Sequence, residues 1–133
     1  MTAFLDTNTV IYFVEQAPGW GAKVTSWIGN YRAAGQALAV SDLVRMECMV
    51  GPLTVNDQMR LGDFVSFFKA PDLAVLSITA AVCDRAARIR AQYRFKPLDC
   101  LHLAAAVEHG CTRFLTNDVP LQKFPDITVD LVI

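Results

Sequence analysis

Short apolar runs alternate with longer stretches of helical period along the whole chain, and that alternation leaves few folds open. Ala3–Leu5, Ala37–Val40, Leu73–Ile78, Arg113–Thr116 and Ile127–Val132 read as five strands. Between the first two lie a helix through Thr9–Val14 and a second whose Val24, Trp27, Ile28 and Tyr31 share one face, ended by Gly35. Ser41 is placed to cap a helix running to about Val50, closed by Gly51-Pro52, and Val55–Phe68 forms another amphipathic helix. Thr79 caps a helix that presents Val82, Ala86, Ile89 and Tyr93, Pro97 opens the next one and Gly110 ends it. Val119–Lys123 reads as a single helical turn. The strand sequences are mostly apolar rather than alternating, as in a parallel sheet covered by helices on both faces. Ligands of such sheets collect beyond the carboxyl ends of the strands.

The 133 residues suit one ordinary domain, and no repeat, low-complexity tract or linker divides residues 1–133. At 53% hydrophobic and 19% charged, the chain is set to bury an extensive core. A formal net charge of −1 argues against a generally basic nucleic-acid coat and leaves local patches open. No apolar run approaches the roughly 18–20 residues of a membrane span. The start MTAFLDTN lacks the features of a signal peptide, so a cytoplasmic location is expected. Cys48, Cys83, Cys100 and Cys111 contain no CxxC pair and read as reduced core residues.

Four acids stand out against this apolar background. Asp6 follows the first strand directly, and Asp118 follows the fourth by way of Thr116-Asn117. Glu47 interrupts the apolar stretch Leu43–Val50. Asp99 interrupts Leu98–Val107, where His102 is the only other ionisable group apart from cysteine. Singly, Asp6 and Asp118 suit helix caps, Asp99 suits the positive end of its helix, and Glu47 suits pairing with a base such as Arg45 or exposure. Caps do not explain acids within apolar helices, where an unpaired carboxylate is costly. Four carboxylates converging on one sheet edge would repel one another and raise one another's pKa values. A hard divalent cation resolves that repulsion, and a carboxylate-held Mg²⁺ or Mn²⁺ is suited to activating water against a phosphodiester.

Asp6-Thr7-Asn8, Glu47 six residues after Ser41, Asp99 followed by Leu101 and Ala104-Ala105-Ala106, and Thr116-Asn117-Asp118 resemble the motifs of PIN-domain ribonucleases. The chain is most similar to the toxin member of VapBC toxin–antitoxin pairs, over its whole length. The resemblance implies a PIN-like three-layer α/β sandwich with a five-stranded parallel sheet flanked by helices. It implies endonucleolytic cleavage of RNA with Mg²⁺ or Mn²⁺, an inhibitory antitoxin partner, and a homodimer. Carried over residue by residue, Asp6, Glu47, Asp99 and Asp118 become the metal-binding and catalytic quartet. Thr116 and Asn117 become the polar residues that fix the last acid and the outer shell, and Thr7 positions water or substrate.

Other features have paired readings. Arg85, Arg88, Arg90, Arg94 and Lys96 form either a solvated helix face or a phosphate-contacting strip leading to Asp99, with Arg85, Arg88, Arg94 and Lys96 as the RNA-contact candidates. His102 reads as a hydrogen-bonded structural histidine, against metal ligation or general-acid work. His109 reads as a helix C-terminal residue, and Trp20 and Trp27 suit either the core or a partner groove. Phe64, Phe67 and Phe68 suit the core by default and a dimer contact otherwise. The alternative function is a PIN-type nuclease in RNA processing or on structured DNA, without an antitoxin. A receiver-like signalling domain would need an acceptor Asp after the third strand, which ends Val75-Leu76-Ser77-Ile78. An RNA-binding domain without catalysis is disfavoured by the intact quartet.

Overall fold

The apolar runs form strands β1 (Thr2–Leu5), β2 (Ala37–Ser41), β3 (Leu73–Leu76), β4 (Arg113–Thr116) and β5 (Thr128–Leu131) in a computed structural model that describes residues 1–133. The helices are α1 (Thr7–Glu15), α2 (Gly21–Ala33), α3 (Asp42–Thr54), α4 (Gln58–Phe68), α5 (Ala80–Tyr93) and α6 (Pro97–Glu108), with a short 3-10 turn at Val119–Lys123. Every strand pairing is parallel, in the order β3-β2-β1-β4-β5. This is the five-stranded parallel α/β sheet expected from the sequence.

β1 lies at the centre, with Phe4 opposite Ala39 of β2 on one side and Phe114 of β4 on the other. The Phe4 and Phe114 rings stack at 5.2 Å within a core cluster of 29 buried apolar residues. With the right-handed crossovers that parallel strands follow as a rule, this order groups α1–α4, which contact one another, over one face of the sheet and the α5–α6 pair over the other. Leu103, Ala104, Ala105 and Ala106 of α6 are fully buried, and the three small alanines let this helix lie close to its neighbours. From β1 the chain builds outward through β2 to β3; after α5 and α6 it returns to β4 and builds the other way. The strand order therefore reverses between β1 and β4, where an open parallel sheet leaves a crevice at its carboxyl edge.

The structure corrects several boundaries. Pro52 does not close α3, which runs on to Thr54. Pro52 is buried, the loss of one donor near the helix end is tolerated, and Thr54 Oγ1 donates to the Val50 carbonyl at 2.7 Å. The reversal comes at Asn56, in the left-handed region at φ 54°, after which Asp57 caps α4. β3 stops at Leu76, and its Ala74 and Val75 are exposed, so this edge strand is not covered on both faces.

Cys83 is exposed, unlike Cys48, Cys100 and Cys111. The core face of α5 is set by Val82, Ala86 and Ile89, and Cys83 falls one residue off it. Phe64 and Phe68 enter the core while Phe67 packs on Phe13 at 5.9 Å, so the α4 aromatics serve the interior. Trp20 and Trp27 are partly buried against the core. No helix is long and apolar enough to cross a membrane.

Candidate active site

Asp6 leaves the end of β1 and caps α1, its Oδ1 accepting the Thr7 backbone N–H at 2.8 Å. Its Oδ2 accepts the Thr116 hydroxyl at 2.8 Å, and that hydroxyl accepts the Asp118 backbone N–H at 3.1 Å. One threonine at the end of β4 thus fixes both the acid after β1 and the backbone of the acid after β4. Asp6 is buried, and burial pushes its carboxyl above the usual range despite the opposing effects of His102, Thr116 and the Thr7 N–H. Asp118 opens the 3-10 turn without a side-chain capping bond.

Glu47 projects from the middle of α3. Its Oε1 accepts the Thr7 hydroxyl at 2.7 Å and lies 2.7 Å from His102 Nε2. The hydrogen bond from His102 holds the Glu47 carboxyl below its ordinary value against the effect of burial. Glu47 thus pairs with His102, not with Arg45.

Asp99 sits in the first turn of α6, half-buried. Burial, then the charges of Asp6 and Asp118, push it up to about 6. His102 lies one turn further on, and its Nε2 is also 3.3 Å from Thr7 Oγ1 and 3.9 Å from Asp6 Oδ1. Burial opposes a charge on His102, but the bond to Glu47 and the fields of Asp6, Glu47 and Asp99 outweigh it and hold its pKa above the ordinary value.

Asp6, Thr7, Asn8, Glu47, Asp99, His102, Asn117 and Asp118 line one cavity of about 120 Å³ with no hydrophobic residue in its wall. It lies at the reversal of strand order between β1 and β4. Larger hollows lie elsewhere, one of about 550 Å³ around Arg32, Gln36 and Asp72, but none of them gathers the four acids. Asn117 donates to the Tyr12 hydroxyl at 3.1 Å and accepts from Asn8 at 3.4 Å, bracing the cavity rim. The acids share the cavity without any three His, Cys, Asp or Glu groups closing to the spacing of metal ligands.

The structure divides the basic strip. Arg94 and Lys96 line a hollow of about 320 Å³ that shares Asp99 and Asp118 with the acid cavity. Arg85 is bonded to Glu108 at 2.5 Å, at the other end of α6 from Asp99, and Arg88 is exposed on α5. Arg90 turns back to the carbonyls of Arg94 and Phe95, bracing the left-handed turn at Arg94. His109 holds the Ser77 carbonyl at 2.9 Å just past the end of α6. Tyr12 joins the site with no signal in the sequence, and Asn8, present there only as the last residue of the Asp6-Thr7-Asn8 motif, takes a place on the rim.

The donor types, though not yet their spacing, are those a hard divalent cation takes. Carboxylate oxygens from four separate elements line one polar hollow, and after burial the charges of Asp6 and Asp118 raise Asp99 against the opposing charges of His102 and Lys96. The family model described as the PIN domain matches residues 3–126. The chain belongs to the PIN domain family. No curated protein matches it in sequence.

Solved structures share the fold of this PIN domain. VapBC2 of Rickettsia felis bound to a promoter DNA fragment aligns with a TM-score of 0.81 at 16% identity, covering 98% of each chain. DNA-bound VapBC of Salmonella typhimurium aligns at 0.79 and 19% identity, covering 100% of this chain and 99% of that one. VapC20 of Mycobacterium tuberculosis, a toxin that cleaves the sarcin-ricin loop, aligns at 0.72 and 12% identity, covering 96% and 99%.

Proposed function

We propose that this PIN domain is a metal-dependent endoribonuclease and the toxin of a type II toxin–antitoxin pair. The observation that carries the reading is the wholly polar cavity at the β1/β4 crevice, lined by Asp6, Glu47, Asp99 and Asp118. Those four would hold Mg²⁺ or Mn²⁺. When bound, such an ion lowers the pKa of a water and stabilises charge on a scissile phosphate.

The chain's own residues do the positioning. Thr116 holds Asp6 and the Asp118 backbone in fixed relation, so two acids from neighbouring strand ends present a pre-arranged edge. Thr7 orients Glu47, and Asn117 with Asn8 forms the polar rim. Arg94 and Lys96, in the adjoining hollow, contact RNA phosphates and bring the chain past Asp99 and Asp118. Arg85 and Arg88 extend that strip only at a distance from the acids.

The solved VapBC assemblies support an antitoxin partner, and the same reading includes a homodimer and a cytoplasmic location. Its test is incubation of purified protein with total RNA and Mg²⁺ or Mn²⁺, followed by sequencing of the new ends, with Asp6→Asn as control. Metal-dependent cuts absent from the control are the expected result. Equal cutting by the control, or in EDTA, overturns the reading. Growth arrest on expression, relieved by the protein of an adjacent short reading frame, tests the toxin assignment.

A further inference from the structure

His102 stands in the acid cavity yet supplies no oxygen to a hard cation. Its ring is 2% exposed, its Nε2 is 2.7 Å from Glu47 Oε1, and its Nδ1 is buried without a partner. A bare lone pair at Nδ1 is easier to bury than an unpaired N–H, so the network assigns the proton of the neutral ring to Nε2, facing Glu47. The same Glu47 oxygen accepts the Thr7 hydroxyl at 2.7 Å. Two donors therefore occupy Oε1, and no protein group bonds to Oε2.

We propose that His102 is a positioning residue for Glu47: together with Thr7 it pins Oε1 and leaves Oε2 as the oxygen offered to the cation. This rests on the acid quartet being the cation site. A glutamate side chain has three rotatable bonds, and Glu47 is 23% exposed, so without a second donor it can swing toward solvent. The ring is well suited to the task because it is itself immobilised, buried on α6 and packed near Phe4 at 6.1 Å. Outer-shell partners of this kind fix ligand orientation and so contribute to affinity without touching the ion. The geometry does not depend on the charge of the ring, since Nε2–H donates whether the imidazole is neutral or protonated.

The test is Mn²⁺ binding to the purified protein by calorimetry, without RNA, alongside thermal melts in EDTA. The variants are Glu47→Gln, His102→Leu and His102→Gln. A glutamine amide nitrogen stands as many bonds from Cα as the imidazole Nε2, so His102→Gln preserves the donor. We expect Glu47→Gln to lose affinity strongly, His102→Leu to weaken it about 10- to 100-fold, and His102→Gln to stay near wild type. Wild-type affinity in His102→Leu, with Glu47→Gln impaired, overturns the positioning role alone. Equal losses in His102→Leu and His102→Gln also overturn it, because the donor would not be the feature that counts. Undiminished affinity in Glu47→Gln overturns the cation-site reading and this proposal with it. Should His102→Leu give no cooperative melt, His102→Asn takes its place. Its amide falls one bond short, so weak binding is expected, and binding equal to His102→Gln overturns the role.

Discussion

Thr116 Oγ1 donates to Asp6 Oδ2 at 2.8 Å, joining the ends of two adjacent strands across 110 residues of sequence. The contact is fully buried on the threonine side, and the same hydroxyl accepts the backbone N–H of Asp118. Thr116→Val keeps the shape and removes both bonds. It should cost about 1–3 kcal/mol, the penalty for leaving buried polar groups unpaired, while Thr116→Ser should cost less. Urea titration checks this, and a Thr116→Val protein as stable as wild type would show that the bond does not hold the site together.

The basic groups should separate by position. Arg94 and Lys96 border the acid cavity, whereas Arg85 is engaged with Glu108. In a cleavage-inactive Asp6→Asn background, Arg94→Ala with Lys96→Ala should weaken binding to single-stranded RNA. The salt slope should fall by about 0.7 for each phosphate contact removed. Arg85→Ala should change the slope less. Fluorescence anisotropy across a salt series reads both, and an unchanged slope in the Arg94, Lys96 double variant would assign them to solvated surface.

An antitoxin that silences this site is expected to place an Arg beside Asp99 and Asp118, because a guanidinium grips carboxylates in a bidentate fork. Replacing that Arg with Ala should restore RNA cleavage while the two proteins still associate. A complex structure with no cationic side chain near the four acids would contradict the expectation.

Asp99 gives the cation-free protein a pH signature. Its carboxyl is raised to about 6 in the folded state, above an unfolded value near 4. The folded protein thus retains a proton that the unfolded chain has released. The stabilisation is fully present below about pH 4, is lost as pH rises through about 6, and stays lost at neutral pH. Asp6 is raised in the same direction. In EDTA, denaturation from pH 4 to pH 7 should show wild type losing stability relative to Asp99→Asn across that interval. Parallel curves for the two proteins would mean that Asp99 carries no such strain.

Much of this was legible because the signals were local. A mostly apolar run followed at once by a polar residue marks both the strand end and the start of the next helix, as at Leu5-Asp6 and Val40-Ser41, where both polar side chains cap the helix that follows. Glu47 and Asp99 stood out because an acid in an apolar helix needs a reason. Harder to read were contacts between distant segments. The Glu47–His102 pair spans 55 residues, and it forms only because α3 and α6, from opposite faces of the sheet, each send one side chain to the carboxyl end of β1. The spacing of His102 from Asp99 placed both on one helix face, which was a usable hint. The division of the basic strip depends on the turn at Arg94 and on Glu108, neither visible in a run of charges. Pro52 inside α3 and the exposed Ala74 and Val75 of β3 are tertiary outcomes that override local preference.

Thermal melts of wild type and Asp99→Asn, each in EDTA and in Mg²⁺ at neutral pH, decide whether the four acids form a cation site. In EDTA, Asp99→Asn should be more stable by about 1 kcal/mol, well below the full equivalent of the pKa shift because Asp99 is half-buried and screened. Mg²⁺ should stabilise wild type by about 1.4 kcal/mol at ten times its dissociation constant, and Asp99→Asn far less. If Asp99 merely complements the N-terminal end of α6, asparagine should instead destabilise the protein. Clear destabilisation in EDTA together with an unaltered magnesium response would contradict the account.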